Sequence, residues 1–179
     1  NAQRFNTQNI TRAMNKCTNN LTIVRDTREQ KRQDRALGWM FDRGFDPAPT
    51  VLTRGLPTGD YSLLGLENDV IVERKTLPDL VACLGRERER FENELLRMRG
   101  FSAAVVIVES LFDELAQGNY RSQLDPKCAV QTVISFCANY RIPFFFCKNG
   151  KAAERCAYDF LRHYHAHFKR KIKAVLDAK

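Results

Sequence analysis

No stretch of this chain is apolar for long enough to cross a bilayer. The longest candidate, Ala103 to Val108, falls far short of the roughly 20 residues a spanning helix takes. The N-terminal stretch lacks the apolar core of a secretory signal. The six cysteines (Cys17, Cys83, Cys128, Cys137, Cys147 and Cys156) include no C-x-x-C pair, and the three histidines complete no finger pattern. A zinc ribbon or a disulfide scaffold is therefore disfavoured, and single buried thiols in a reducing compartment are expected. No internal repeat or low-complexity block occurs, which argues against solenoids and propellers. What is left is a soluble protein, expected in the cytoplasm.

The 179 residues fit one domain, and 44% of them are apolar, enough for a buried core. Lys and Arg number 29 against 21 Asp and Glu, for a net charge of +8. An excess of this size favours a polyanionic partner such as nucleic acid. The chain is then expected to be nucleoid- or DNA-associated, or nuclear in a eukaryotic source.

Residues 1–20 are polar and rich in Asn, and read as a flexible N-terminal arm. Leu21 to Val24 is a short β-branched run that predicts a first strand, ending at Asp26-Thr27-Arg28-Glu29. Residues 30–43 carry Leu37, Met40 and Phe41 at helical spacing, with Gly44 as a stop. Residues 50–64 predict a strand or hairpin region punctuated by Gly55, Pro57 and Gly59. Asp69 to Lys75 is a strand, followed by Thr76-x-x-Asp79, a capping-box pattern opening a short helix. Residues 87–99 predict a helix burying Phe91, Leu95 and Met98, with Arg88/Glu92 and Arg90/Glu94 as i,i+4 pairs. Further along come a buried strand over Ala103 to Val108, a short helix over Leu111 to Ala116, and a helix over 127–140 with Val130, Val133, Ile134 and Cys137 inward. A buried strand over Pro143 to Cys147 and a long helix over 151–171 complete the chain, with a basic tail from 169 to 179. Strands alternating with helices predict an α/β sandwich, helices flanking a central, partly parallel sheet.

The chemistry is concentrated in Gly59-Asp60 and, thirteen residues on, Glu73-Arg74-Lys75. Phosphodiester hydrolysis uses a divalent cation held by carboxylates, which polarises the phosphate and lowers the pKa of water. Mg²⁺ is commonly held by one or two carboxylates, with water and phosphate completing its shell. A nearby Lys can neutralise the charge that develops on phosphorus. On a strand, Glu73 and Lys75 point to the same side. Asp60 can join Glu73 at one metal if their strands pair.

The run Val72-Glu73-Arg74-Lys75-Thr76-Leu77-Pro78-Asp79-Leu80 resembles the ERKxxxD motif of the XPF-type nuclease family. Ile23 to Glu29 resembles that family's first strand and D-x-R-E segment, and Gly59-Asp60-Tyr61 its G-D-aromatic step. Order and spacing agree over roughly residues 21–165, with an arginine-rich helix following at Arg88. The resemblance implies a restriction-endonuclease-like three-layer sandwich, a nuclease domain spanning 21–168, and a Mg²⁺ or Mn²⁺ site. Asp60 and Glu73 would be metal ligands, with Asp26 and Glu29 beside the metal, as ligands or through water. Lys75 would act at the water or the transition state, and Arg74 and Asp79 would support the site. Arg28 and Arg88 are the implied contacts to DNA. The substrate would be branched or flapped DNA, with a homodimer possible, in DNA repair, recombination or phage DNA processing. The C-terminal region has no tandem helix-hairpin-helix pattern, so the chain is similar to the compact stand-alone nuclease domains of microbes and phages.

Plainer roles compete at several of these positions. Asp79 also suits a helix cap with Thr76, and Asp26 and Glu29 suit a helix N-terminus. Arg86, Arg88 and Arg90 alternate with glutamates and can form a solvated face. The basic tail also reads first as a solvated end. His163 and His167 lie one helical turn apart with Asp159 before them, a pattern more common on a solvated face than at a metal. Trp39 and Phe41 are read as core residues. The rival function is a non-catalytic DNA-binding or partner module on the same fold. Retention of the acidic groups and of Lys75 counts against it.

Overall fold

The computed structural model describes residues 21–29, 38–42 and 44–178. The expected arm over 1–20, and most of the helix expected over 30–43, lie outside the described residues, as does Cys17. Six strands form one mixed sheet: β1 (Thr22–Arg25), β2 (Thr50–Thr53), β3 (Tyr61–Leu63), β4 (Val70–Lys75), β5 (Ala103–Val108) and β6 (Phe144–Phe146), in the order β2-β1-β3-β4-β5-β6. The β1–β3 and β3–β4 pairs are antiparallel, and β1–β2, β4–β5 and β5–β6 are parallel. Among the described residues five α-helices and a 3-10 turn (Thr27–Glu29) complete the fold: α1 (Leu77–Leu84), α2 (Arg88–Met98), α3 (Phe112–Ala116), α4 (Pro126–Tyr140) and α5 (Gly150–Asp177).

The alternation of side chains along each strand divides the core in two. Val24, Ile71, Val106 and Val108 face a layer built from α1, α2 and α4. Ile23, Val70, Val72, Val105 and Ile107 face α5 and the segment around Trp39 and Phe41. The result is the expected α/β three-layer sandwich with a mixed central sheet. The central strands β4 and β5 are buried on both faces, which is why Ala103 to Val108 and Val70 to Val72 read as continuous apolar runs.

Capping follows the sequence. Thr76 accepts from the Asp79 N–H at the start of α1, Asp125 from Cys128 at α4, and Asn149 from Ala152 at α5. Each such cap is worth about 1 kcal/mol.

Six expectations need correction. The described part of the 30–43 segment, residues 38–42, is not helical: Phe41 takes a φ of 52°. Its ring is fully buried against Trp39, Phe45 and Tyr61, so tertiary packing overrides the helical spacing. The region 50–64 is not a hairpin, because β1 lies between β2 and β3 and pairs with both. Arg90 reaches back to Glu87 rather than on to Glu94, which points inward. Ile134 is 51% exposed, the buried positions of α4 being Ala129, Val133 and Phe136. Phe145 is 41% exposed because β6 is an edge strand. The last helix continues past its expected end to Asp177, so the described part of the basic tail is helical.

Candidate active site

The sheet register brings three acidic residues into one row. Arg25 pairs with Tyr61 across β1 and β3, and Tyr61 with Val72 across β3 and β4. One step along, Asp26 lies opposite Asp60, and Asp60 opposite Glu73. Two backbone bonds fix this alignment: Asp26 N–H to the Asp60 carbonyl at 2.8 Å, and Asp60 N–H to the Val72 carbonyl at 2.9 Å. Neighbouring strands lie about 4.8 Å apart, so the three carboxylates share one face of the sheet at short range. Gly59 makes the step possible: its φ is +70°, and a Cβ there would run into Ile71.

The three carboxylates are satisfied very differently. Asp26 is 1% exposed and fully engaged. Its Oδ1 accepts from the Arg28 N–H at 2.8 Å and from Arg28 Nε at 2.6 Å, and its Oδ2 from the Leu56 N–H at 2.6 Å. Burial alone would raise its pKa, but these donors outweigh burial and hold the carboxyl below the usual range. Asp26 thus ties the 54–60 loop across the end of β1. Asp60 uses one oxygen, Oδ2, to accept the Arg74 N–H at 2.7 Å. Glu73 is 3% exposed, and its Oε1 accepts from Lys75 Nζ. Its Oε2 is buried with no hydrogen-bond partner.

The electrostatics follow from that packing. Burial, then the charge of Glu29, pushes Asp60 up to about 7, against the opposing pull of Lys75. Burial and the neighbouring Asp60 push Glu73 well above the carboxylate range. Lys75 is buried as well, which lowers its pKa, yet Glu73, Glu94 and Asp60 together raise it above the usual lysine value. Its ammonium sits 5.2 Å from the centre of the Phe91 ring. The opposite faces of β4 thus separate the motif: Glu73 and Lys75 face the α1–α2 layer, while Arg74 faces the Trp39 side.

Arg74 is the hub on that second side. Its Nε donates to Glu109 Oε1 at 2.8 Å, its Nη2 to Glu109 Oε2 at 3.3 Å, and its Nη1 to Glu29 Oε2 at 3.1 Å. The guanidinium lies over the Trp39 ring at 5.7 Å, and Trp39 Nε1 donates to Glu109 Oε1 at 2.7 Å. Tyr61 adds a hydroxyl that donates to Glu29 Oε2 at 2.8 Å and accepts from the Trp39 N–H at 2.7 Å.

The remaining candidates are placed less centrally. Glu29 lies with Arg74, across the sheet end from Lys75. Arg28 is 65% exposed at the rim, its backbone and Nε anchored by Asp26. Asp79 is exposed and bound to Thr76 at the α1 cap. Arg88 is exposed, paired with Glu92 at 2.8 Å and lying over Phe136. Asp159 is paired with Arg155 and Arg162. Two residues were missed by sequence reasoning. Glu94 reaches in from α2 to 3.9 Å from Lys75 Nζ, with its Oε2 buried and without a hydrogen bond. A carboxylate three residues after Phe91, on the stripe that carries Leu95, was the available signal. Glu109, the anchor of Arg74 and Trp39, stands at the carboxyl end of β5, where crevices form in open α/β sheets.

Carboxylates outnumber cations in this cluster: Asp26, Glu29, Asp60, Glu73, Glu94 and Glu109 against Arg28, Arg74 and Lys75. Among the described residues no three His, Cys, Asp or Glu side chains converge into a closed metal cage. A hard divalent cation needs less, since one or two carboxylates suffice when water and phosphate complete the shell. Asp60 and Glu73 fit that description. Both supply hard oxygen donors, they repel each other when ionised, and the Glu73 Oε2 is a buried acceptor with nothing to accept.

A family model described as the ERCC4 domain matches residues 25–159. Among solved structures, XPF from Aeropyrum pernix superposes with a TM-score of 0.62 at 19% identity, covering 80% of this chain and 61% of that one. The same protein in complex with DNA superposes with a TM-score of 0.60 at 19% identity, covering 80% and 64%. The chain thus spans less than two thirds of either structure. No curated protein matches it.

Proposed function

Because the chain belongs to the ERCC4-domain family, we propose that it is a divalent-metal-dependent endonuclease that hydrolyses phosphodiester bonds in DNA. The observation that carries this reading is the pair of half-buried Asp60 and buried Glu73, set against Lys75, with one Glu73 oxygen left without a partner. Asp60 and Glu73 would hold Mg²⁺ or Mn²⁺, which when bound supplies Lewis-acid polarisation of the phosphate and a lowered pKa for water.

The side chains divide the remaining work. Lys75 is buried, cationic and steered by Glu73, Glu94 and the Phe91 ring, so its charge is preorganised for the phosphoryl oxygens as negative charge builds. Asp26 supports the site by holding the 54–60 loop and Arg28, whose Nη2 donates to the Leu56 carbonyl at 3.2 Å and whose Nη1 is left at the exposed rim, where it suits a phosphate. Arg74, engaged by Glu109 and Glu29, positions the end of β4 rather than reaching for substrate. Branched or flapped DNA is the substrate class proposed from the family resemblance, and the protein would act wherever that DNA resides.

The test is a cleavage assay on labelled single-stranded, duplex, flap and fork DNAs with Mg²⁺, Mn²⁺ or chelator. Metal-dependent cutting that disappears in Glu73→Ala, while the fold survives, supports the reading. Tight, salt-sensitive binding with no cutting on any substrate would replace it with a non-catalytic DNA-binding module.

A further inference from the structure

Helix α5 begins beside the site and ends far from it. Gly150, its first residue, sits against Glu109, close enough that a Cβ would lie 3.2 Å from Oε1. The helix then packs along the sheet on β5, β3 and β4 and runs on to Asp177. Lys151, Arg155, Arg162, Lys169 and Lys173 recur along it at spacings of four and seven, and all five are exposed. At 3.6 residues per turn these spacings keep the five within about 40° of one another, as a single basic stripe. The stripe is about 33 Å long at 1.5 Å per residue, close to the ~34 Å of one turn of B-DNA.

The charge is uneven in a telling way. From Phe160 to Leu176 there is no Asp or Glu, and Arg162, Lys169, Arg170, Lys171 and Lys173 carry five of the chain's eight excess positive charges. Of the acids beside the stripe, Asp159 is neutralised by Arg155 and Arg162, and Asp177 stands at its far end, one turn beyond Lys173. The apolar face does not suit a bilayer: Leu161, Tyr164 and Phe168 are committed to the core, which leaves only Ile172, Val175 and Leu176 near the end. A charged stripe without a free apolar face fits a polyanion rather than a lipid surface.

We infer that the α5 stripe is a second DNA-binding surface, a rail that holds the phosphates of a duplex arm for about one turn away from the cutting site. The inference rests on the nuclease reading for its choice of polyanion, and it assigns that substrate a duplex arm of about ten base pairs.

The experiment measures binding of the full chain to DNA duplexes of increasing length, in chelator so that no cutting intervenes, at several salt concentrations. The parent is compared with the combined variant Arg162→Gln, Lys169→Gln, Lys173→Gln, whose helicity is checked by circular dichroism. Each phosphate contact contributes about 0.9 to the slope of log K against log salt. The variant should therefore lose about 2 to 3 from that slope. The parent should gain affinity as duplexes lengthen to about ten base pairs, and the variant should gain much less. Equal slopes and equal length dependence would overturn the rail, even if the protein cuts DNA. Loss of binding in the variant of a protein that cuts nothing would keep the rail and remove the nuclease. Flotation with anionic vesicles is the second arm: vesicle binding lost in the variant, with DNA binding intact, would overturn the proposal in favour of a membrane surface.

Discussion

Replacing Asp60 by Asn should stabilise the metal-free protein while destroying its proposed function. The carboxyl is pushed from 3.8 up to about 7, first by burial and then by Glu29. A raised folded-state pKa means that the folded protein binds this proton more tightly than the unfolded chain does. The associated stability is therefore complete below pH 4 and is lost as pH rises through about 7. Each pKa unit corresponds to 1.36 kcal/mol, so the loss approaches about 4 kcal/mol if Asp60 titrates alone. Glu73 shares the same repulsion, and about 2 kcal/mol is a fair expectation for the single substitution. The amide keeps the acceptor that Asp60 offers to the Arg74 N–H, so no hydrogen bond need be lost. Thermal denaturation in chelator between pH 5 and 8 is the assay. Asp60→Asn should melt roughly 4–8 °C above the parent at pH 7.5 and should flatten the parent's decline with pH. Added Mg²⁺ should reverse the order, because only the parent gains ligand stabilisation, about 2.7 kcal/mol at a hundredfold excess over Kd. A variant that melts no higher than the parent in chelator, or that keeps the same slope with pH, would refute the reasoning.

Three further outcomes follow from the same geometry. Lys75→Ala should fold and bind DNA yet cut roughly 10²–10³ times more slowly, as measured in single-turnover assays; a parental rate would remove Lys75 from the chemistry. Asp26→Ala strands the Leu56 N–H and frees Arg28, and should cost roughly 2–3 kcal/mol in urea denaturation at pH 7. That difference should fade in acid, since the stability from a depressed carboxyl pKa is lost as pH falls below about 4. Gly59→Ala combines a positive φ with a clash against Ile71 and should cost more than ~2 kcal/mol; a parental denaturation midpoint would show that this turn relaxes freely.

Much of this arrangement was legible in the sequence because local pattern and local chemistry agreed. β4 and β5 carried their burial as apolar runs, and α2 showed its buried face in Phe91, Leu95 and Met98. The pairing of Glu73 with Lys75 followed from the two-residue period of a strand. What was not legible depended on contacts between distant segments. Phe41 abandons helical geometry because its ring is trapped against Tyr61, twenty residues on. The hairpin failed because β1, from earlier in the chain, takes the place between β2 and β3. Asp26 showed its carboxyl group but not its partners, Arg28 and the Leu56 N–H, which occupy both oxygens. Glu94 and Glu109 come from different elements, and only the folded sheet brings them to Lys75 and Arg74.

The central claim is that Asp60 and Glu73 together hold the cation that cuts DNA. Calorimetric titration of Mn²⁺ into the parent, Asp60→Asn and Glu73→Gln, with cleavage followed in the same samples, tests it most directly. The account predicts Mn²⁺ binding and cutting in the parent, and the loss of both in each variant while the fold remains intact. Undiminished Mn²⁺ affinity in both variants, or cutting that persists without either carboxylate, would contradict it.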